Sequence, residues 1–104
     1  MTQVSFIEAG GKITAFTLSG HSMAAEYGSD IVCAAVSSAV YMAANTITEI
    51  LGVRADITVR DGYFHLAVAS SDAEKCVPIT QGLRLHLSEL ARQYPDHITM
   101  NMEE

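Results

Sequence analysis

Tryptophan is absent, cysteine and proline occur twice each, and only 17% of the 104 residues are charged. The usual charged share is about 25%, so surface charge is scarce and part of the surface is expected to lie against another chain. Six basic residues face twelve acidic ones, a formal net charge of −6. Lys12, Arg54, Arg60, Lys75, Arg84 and Arg92 are scattered, so the basic patch of a phosphate-backbone binder is missing and no nucleic acid partner is expected. An acidic surface suits a positively charged partner or solubility alone. Cys33 and Cys76 make no disulfide framework, and Met-Thr-Gln-Val at the start lacks the charged and apolar regions of a signal peptide. Both features point to a reducing cytoplasm.

What is present is apolar surface. Hydrophobic residues make up 49% of the chain, which excludes disorder. The length fits one domain over residues 1–104, large enough to fold without disulfides or metals. Residues 31–48 carry no charge, close to a short membrane span. Ser37, Ser38, Asn45, Thr46 and Thr48 interrupt that stretch and alanines dominate it, so it reads as a buried or dimer-interface helix and no membrane is expected.

Residues 4–7 and 13–18 read as strands joined through Gly10-Gly11, a hairpin. In the second, Ile13, Ala15 and Thr17 alternate with Thr14, Phe16 and Leu18. Residues 19–29, with Gly20 and Gly28 near their ends, fit neither period and read as a long mobile loop. Asp30 is placed as the N-cap of a helix running to Leu51 and stopped by Gly52, with Val32, Val36, Val40, Ala43, Ile47 and Leu51 on its apolar face. A second hairpin, residues 55–60 and 63–69, flanks Asp61-Gly62. Ser71 to Glu74 reads as a capping box, opening a helix that runs to about Tyr94 with Cys76, Ile79, Leu83, Leu87, Leu90 and Tyr94 on its stripe. Pro78 is expected to kink it or split off its first turn. Residues 98–102 read as a short edge strand. The order β-β-α-β-β-α gives an α+β fold of two layers, two helices packed on a largely antiparallel sheet.

Chemistry concentrates between residues 20 and 37. With Asp30 as N-cap, Cys33 is the third helical residue, beside unpaired N–H groups and the positive end of the helix dipole, where a thiolate is favoured. His21 sits on the preceding loop, which can fold back over that helix start. A cysteine with a histidine brought in from elsewhere is the minimum for covalent thiol catalysis. Asp30 is a candidate orienter of the imidazole or a helix cap only. Ser37, one turn after Cys33, is a candidate supporting residue. Against this stands the plain alternative that a cysteine in an alanine-rich helix is packing. No metal is expected, because Cys-x-x-Cys is missing and His21 with Cys33 leaves at least two ligands unassigned. His65, His86 and His97 are read as structural and Cys76 as a small core hydrophobe.

Ser19-Gly20-His21 followed by Gly28-Ser29-Asp30-Ile31-Val32-Cys33-Ala34-Ala35-Val36-Ser37 resembles the signature of the ribosomal-processing cysteine proteases, the Prp family. The Asp-Gly hairpin and the closing stretch from Gly82 to Tyr94-Pro95 agree in kind. The resemblance implies a cytoplasmic homodimer that removes a short N-terminal extension from a large-subunit ribosomal protein precursor, cleaving after a Phe that precedes a small, then basic, segment. It implies Cys33 as nucleophile and His21 as general base and acid, with Asp30 and Ser37 matching the motif and no cofactor. On the residues alone, backbone N–H groups at the helix start, that of Cys33 included, are the expected oxyanion donors. Two other readings are a non-enzymatic ribosome-assembly or translation-associated binding module and a thiol redox sensor.

Overall fold

The structure, a computed structural model, describes the backbone of residues 1–20 and 27–104 and the side chains of 1–20 and 31–104. Two glycine-turned strands, β1 (Thr2–Ala9) and β2 (Lys12–Ser19), lead to α1 (Tyr27–Asn45), which continues as a π-helical segment, Thr46–Ile50. A hairpin of β3 (Ala55–Arg60) and β4 (Tyr63–Val68), then α2 (Ser70–Gln93) and β5 (Ile98–Glu103) complete the order. The five strands form one sheet in the order β3-β4-β2-β1-β5. Three of the pairings are antiparallel and β1–β5 is parallel, so the expected α+β class with a largely antiparallel sheet is what folds. The last strand does lie at an edge.

Strict alternation fails at one point in β2. Ile7 pairs with Ala15 but Glu8 pairs with Ile13, so Thr14 is an extra residue in β2. Its hydroxyl donates to the Ile7 carbonyl at 3.4 Å. This bulge resets the alternation. Ile13, expected opposite Phe16 and Leu18, is thereby buried in the same core.

One face of the sheet carries Val4, Phe6, Phe16, Leu18, Phe64 and Leu66, all buried. The helices cover it chiefly over β1, β2 and β5. The apolar face of α1 is the one read from its spacing: Val32, Val36, Val40, Ala43 and Ile47 are buried. One face of the long uncharged stretch is thus core, while Ile31, Tyr41 and Met42 on it stay exposed. The helix ends through Thr46 and Thr48, whose hydroxyls bond the carbonyls of Met42 and Ala44, and Gly52 turns the chain at φ +66°.

Two expectations for α2 need correction. Its N-cap is Ala69, extended and without a side-chain cap bond. The Ser71–Glu74 capping box does not form, because the helix already begins at Ser70 and Ser71 lies inside it; the Glu74 carboxylate pairs with Lys12 Nζ at 3.1 Å. Pro78 lies inside an unbroken helix rather than at a separate first turn. Two residues on, the buried Thr80 hydroxyl donates to the Cys76 carbonyl at 3.1 Å.

Candidate active site

Cys33, Ser37 and Tyr41 follow one another at four-residue spacing on α1, so they share a face. All three line one cavity of about 110 Å3. Its other walls come from chain ends at the same edge of the core: Thr2 of β1, Leu18 and Ser19 of β2, and Tyr63 and Phe64 with Gly62 from the β3–β4 hairpin. Cys33 is partly exposed and its Sγ lies 4.0 Å from Ser37 Oγ, a long, weak contact. The site is therefore a thiol at the mouth of a small cleft with a hydroxyl one turn away.

Two aromatic contacts shape the cleft. Tyr41 stands edge-on to Phe64 with ring centroids 5.3 Å apart, a favoured geometry for a half-exposed ring over a buried one. The Arg60 guanidinium stacks over Tyr63 at 4.3 Å, on the opposite face of the sheet from Phe64. Beneath the cleft the backbone is held tightly. The Gly20 N–H donates to the Gly62 carbonyl at 3.2 Å, which ties the residue before His21 to the hairpin turn. The Thr2 N–H donates to the His97 carbonyl at 2.8 Å.

His21 lies outside the described residues. Asp30 belongs to α1, which begins no later than Tyr27, so Asp30 does not cap it. Gly28 and Ser29, expected in a loop, are helical as well. Cys33 is accordingly not the third helical residue. Its N–H is spent in the helical ladder on the carbonyl four residues back, and the expected oxyanion donor at this position is withdrawn. Cys33 and Ser37 are brought together as the spacing requires.

The second cysteine is placed differently. Cys76 has no exposed surface, and burial, reinforced by the Asp72 charge, pushes its thiol up. A group held neutral in the core is packing. His65 is engaged on the open face of the sheet, its Nδ1 2.9 Å from Thr17 Oγ1, which fits its structural reading. Among the described residues no group of three or more His, Cys, Asp or Glu could hold a metal. Of the cleft's lining, sequence reading found only Cys33 and Ser37; among those it missed are Tyr41, Phe64 and Thr2. Tyr41 was reachable, standing two turns beyond Cys33. Phe64 and Thr2 arrive through long-range strand pairing, which leaves no local signal.

Comparison with known proteins shows the family. Residues 1–99 match the family model described as cysteine protease Prp. The ribosomal processing cysteine protease Prp of Staphylococcus aureus strain Mu50 is 31% identical over 93 residues, 88% of each chain. That of Bacillus subtilis strain 168 is 33% identical over 92 residues, 83% of this chain and 82% of its own. The crystal structure of S. aureus Prp with a substrate peptide superposes with a TM-score of 0.90 at 28% identity, covering 99% of this chain and all of that one. A second S. aureus structure, with a covalently linked product peptide, gives 0.86 at 29% identity over 99% and 100% of the two chains. With the match spanning nearly the whole sequence and a partly exposed thiol at its cleft, the chain belongs to the Prp family of ribosomal-processing cysteine proteases and is a cysteine-type peptidase.

Proposed function

We propose that this peptidase removes the N-terminal extension of a large-subunit ribosomal protein precursor in the cytoplasm, cleaving after a Phe with Cys33 as nucleophile and His21 as its base. The observation that carries the reading is the contrast between the two thiols. Cys33 opens onto a cleft built from four chain segments, while Cys76 is sealed in the core.

In this scheme His21 takes the thiol proton and the Cys33 thiolate attacks the carbonyl carbon of the scissile bond. The tetrahedral intermediate collapses as the C–N bond breaks, and His21 delivers its proton to the leaving amine. Water, deprotonated by the same imidazole, then splits the thioester and frees the carboxylate and the thiol. Ser37, beside the sulfur, supports its placement, and Asp30 is kept as a supporting residue of the motif. The single domain works as a homodimer and needs no cofactor.

The test is incubation with the host's own precursor, read by mass spectrometry. Wild type should yield one cut after Phe. Cys33→Ala and Cys33→Ser should fold and give no product, whereas Cys76→Ala should retain most turnover. Equal loss at both cysteines contradicts the assignment. His21→Ala should lose activity at every pH while keeping its melting temperature.

A further inference from the structure

Among the described residues β3 is a terminal strand of the sheet, bonded to β4 alone, and it runs toward the Cys33 cavity: its last residue, Arg60, and the turn residue Gly62 line that cavity. A two-residue turn separates Arg60 from its partner Tyr63, which makes them the hydrogen-bonded pair that closes the hairpin. Bonded and non-bonded pairs alternate along an antiparallel ladder. Thr58 and Asp56 therefore spend their backbone groups on β4. Val59, Ile57 and Ala55 turn theirs to the open edge.

The side chains along this edge are also uneven. Val59 lies across from Phe64 and Ile57 from Leu66, which puts both on the helix-side face. The helices stop short of β3, and Ile57 and Val59 remain 44% and 56% exposed. The strand's charges, Asp56 and Arg60, are on the other face. Folded proteins ordinarily blunt an edge with proline, a bulge or a charge turned inward. This face of β3 has none. The opposite edge, β5, carries Asn101 and Glu103 with a single half-exposed methionine, Met102.

We propose that β3 receives an extended peptide substrate as a sixth strand, with the residues preceding the scissile bond running parallel to it. The proposal deepens the peptidase reading above and rests on it. Continuity selects the occupant: the bare edge ends in the wall of the cleft that holds the thiol. Direction follows from polarity. A chain that lays its N-terminal residues along β3 and then presents its carbonyl at Cys33 must run as β3 runs. The reverse orientation would set the basic segment beyond the cut on the apolar shelf of Ile57 and Val59. Backbone bonds at alternate residues give affinity and alternate apolar side chains on the shelf give selection.

Single N-methyl groups placed at successive residues before the cleaved bond test this. KM should rise about tenfold or more, a lost bond of about 1.4 kcal/mol, at every second position and change little between them. Ile57→Lys and Val59→Lys should raise KM with kcat nearly unchanged, while Thr58→Lys, on the other face, should move neither. A scan that is flat or that falls on consecutive positions overturns the proposal. So does a shift in sedimentation of the Ile57→Lys protein without a shift in KM, which gives the shelf to a second copy. The same scan read as peptide Kd on Cys33→Ala is independent of turnover. It separates failure of the edge from failure of the peptidase reading, which shows as a wild type that cuts no such peptide.

Discussion

Burial acts on Cys76 through its proton as well as its volume. The folded thiol holds its proton to higher pH than the unfolded chain's thiol does, because desolvation comes first among the causes. Its stabilising share is complete below the ordinary value of 9.0. As pH rises past that value the unfolded state sheds protons that the folded state keeps, so stability falls through the window up to the raised native value. Urea midpoints should therefore decline as pH rises beyond 9.0 for wild type, and less steeply for Cys76→Ala. A parallel decline in both proteins would deny Cys76 this part. Gly20 makes a different demand. Its φ is +89° and a Cβ there would meet the Met1 carbonyl oxygen at 2.6 Å. Gly20→Ala should cost about 1–3 kcal/mol and displace the start of the His21 segment, lowering kcat as well as the melting temperature. Gly10→Ala, where nothing lies within 4 Å, should show the strain cost without the loss of turnover.

At the scale of elements, much was legible because it was local. The Asp61-Gly62 hairpin, the stripe of α1 and the stripe of α2 all rest on spacings of two to eight residues and fold as read, except that Tyr94 falls past the end of α2 and is exposed. The differences arise at element ends and at a distant pairing. α2 begins at Ser70, which puts Ser71 inside the helix instead of at its cap, and a bulge opposite β1 turns Ile13 inward. The start of α1 was misplaced because Gly28, Ser29 and Asp30 are favoured in turns and caps, while the helix to which they belong is stabilised by packing from Val32 onward. Cys33 and Ser37 could be paired from their spacing, but the walls of the cleft could not, since β4 and β1 reach it only through the sheet. Pro78 also yields a prediction. It leaves one carbonyl of α2 without its helical donor. Pro78→Ala restores that bond, set against about 0.4–1 kcal/mol of added unfolded-chain entropy. A net gain of about 1–2 kcal/mol is expected, seen as a higher urea midpoint. An unchanged or lower midpoint would show that α2 has adjusted fully to the ring.

For the molecule as a whole, charge and edges matter more than any one contact. A net charge of −6 on so small a chain draws a basic segment toward it and is screened by salt. The kcat/KM for a peptide with lysines beyond the cut should fall several-fold between about 0.05 M and about 0.5 M salt. The same peptide with glutamines there should show little change. Equal slopes for the two would remove long-range attraction from substrate capture.

The parallel pairing of β1 with β5 joins Thr2 to Ile98, and Thr2 in turn forms part of the cleft around Cys33. Synthesis proceeds from the N-terminus, so one wall of the site waits on the arrival of the strand made some ninety residues later. Without β5 the first strand has one neighbour instead of two and Thr2 loses its bond to the His97 carbonyl, so the wall of the cleft that Thr2 forms is braced by a strand far along the chain rather than by its own hairpin.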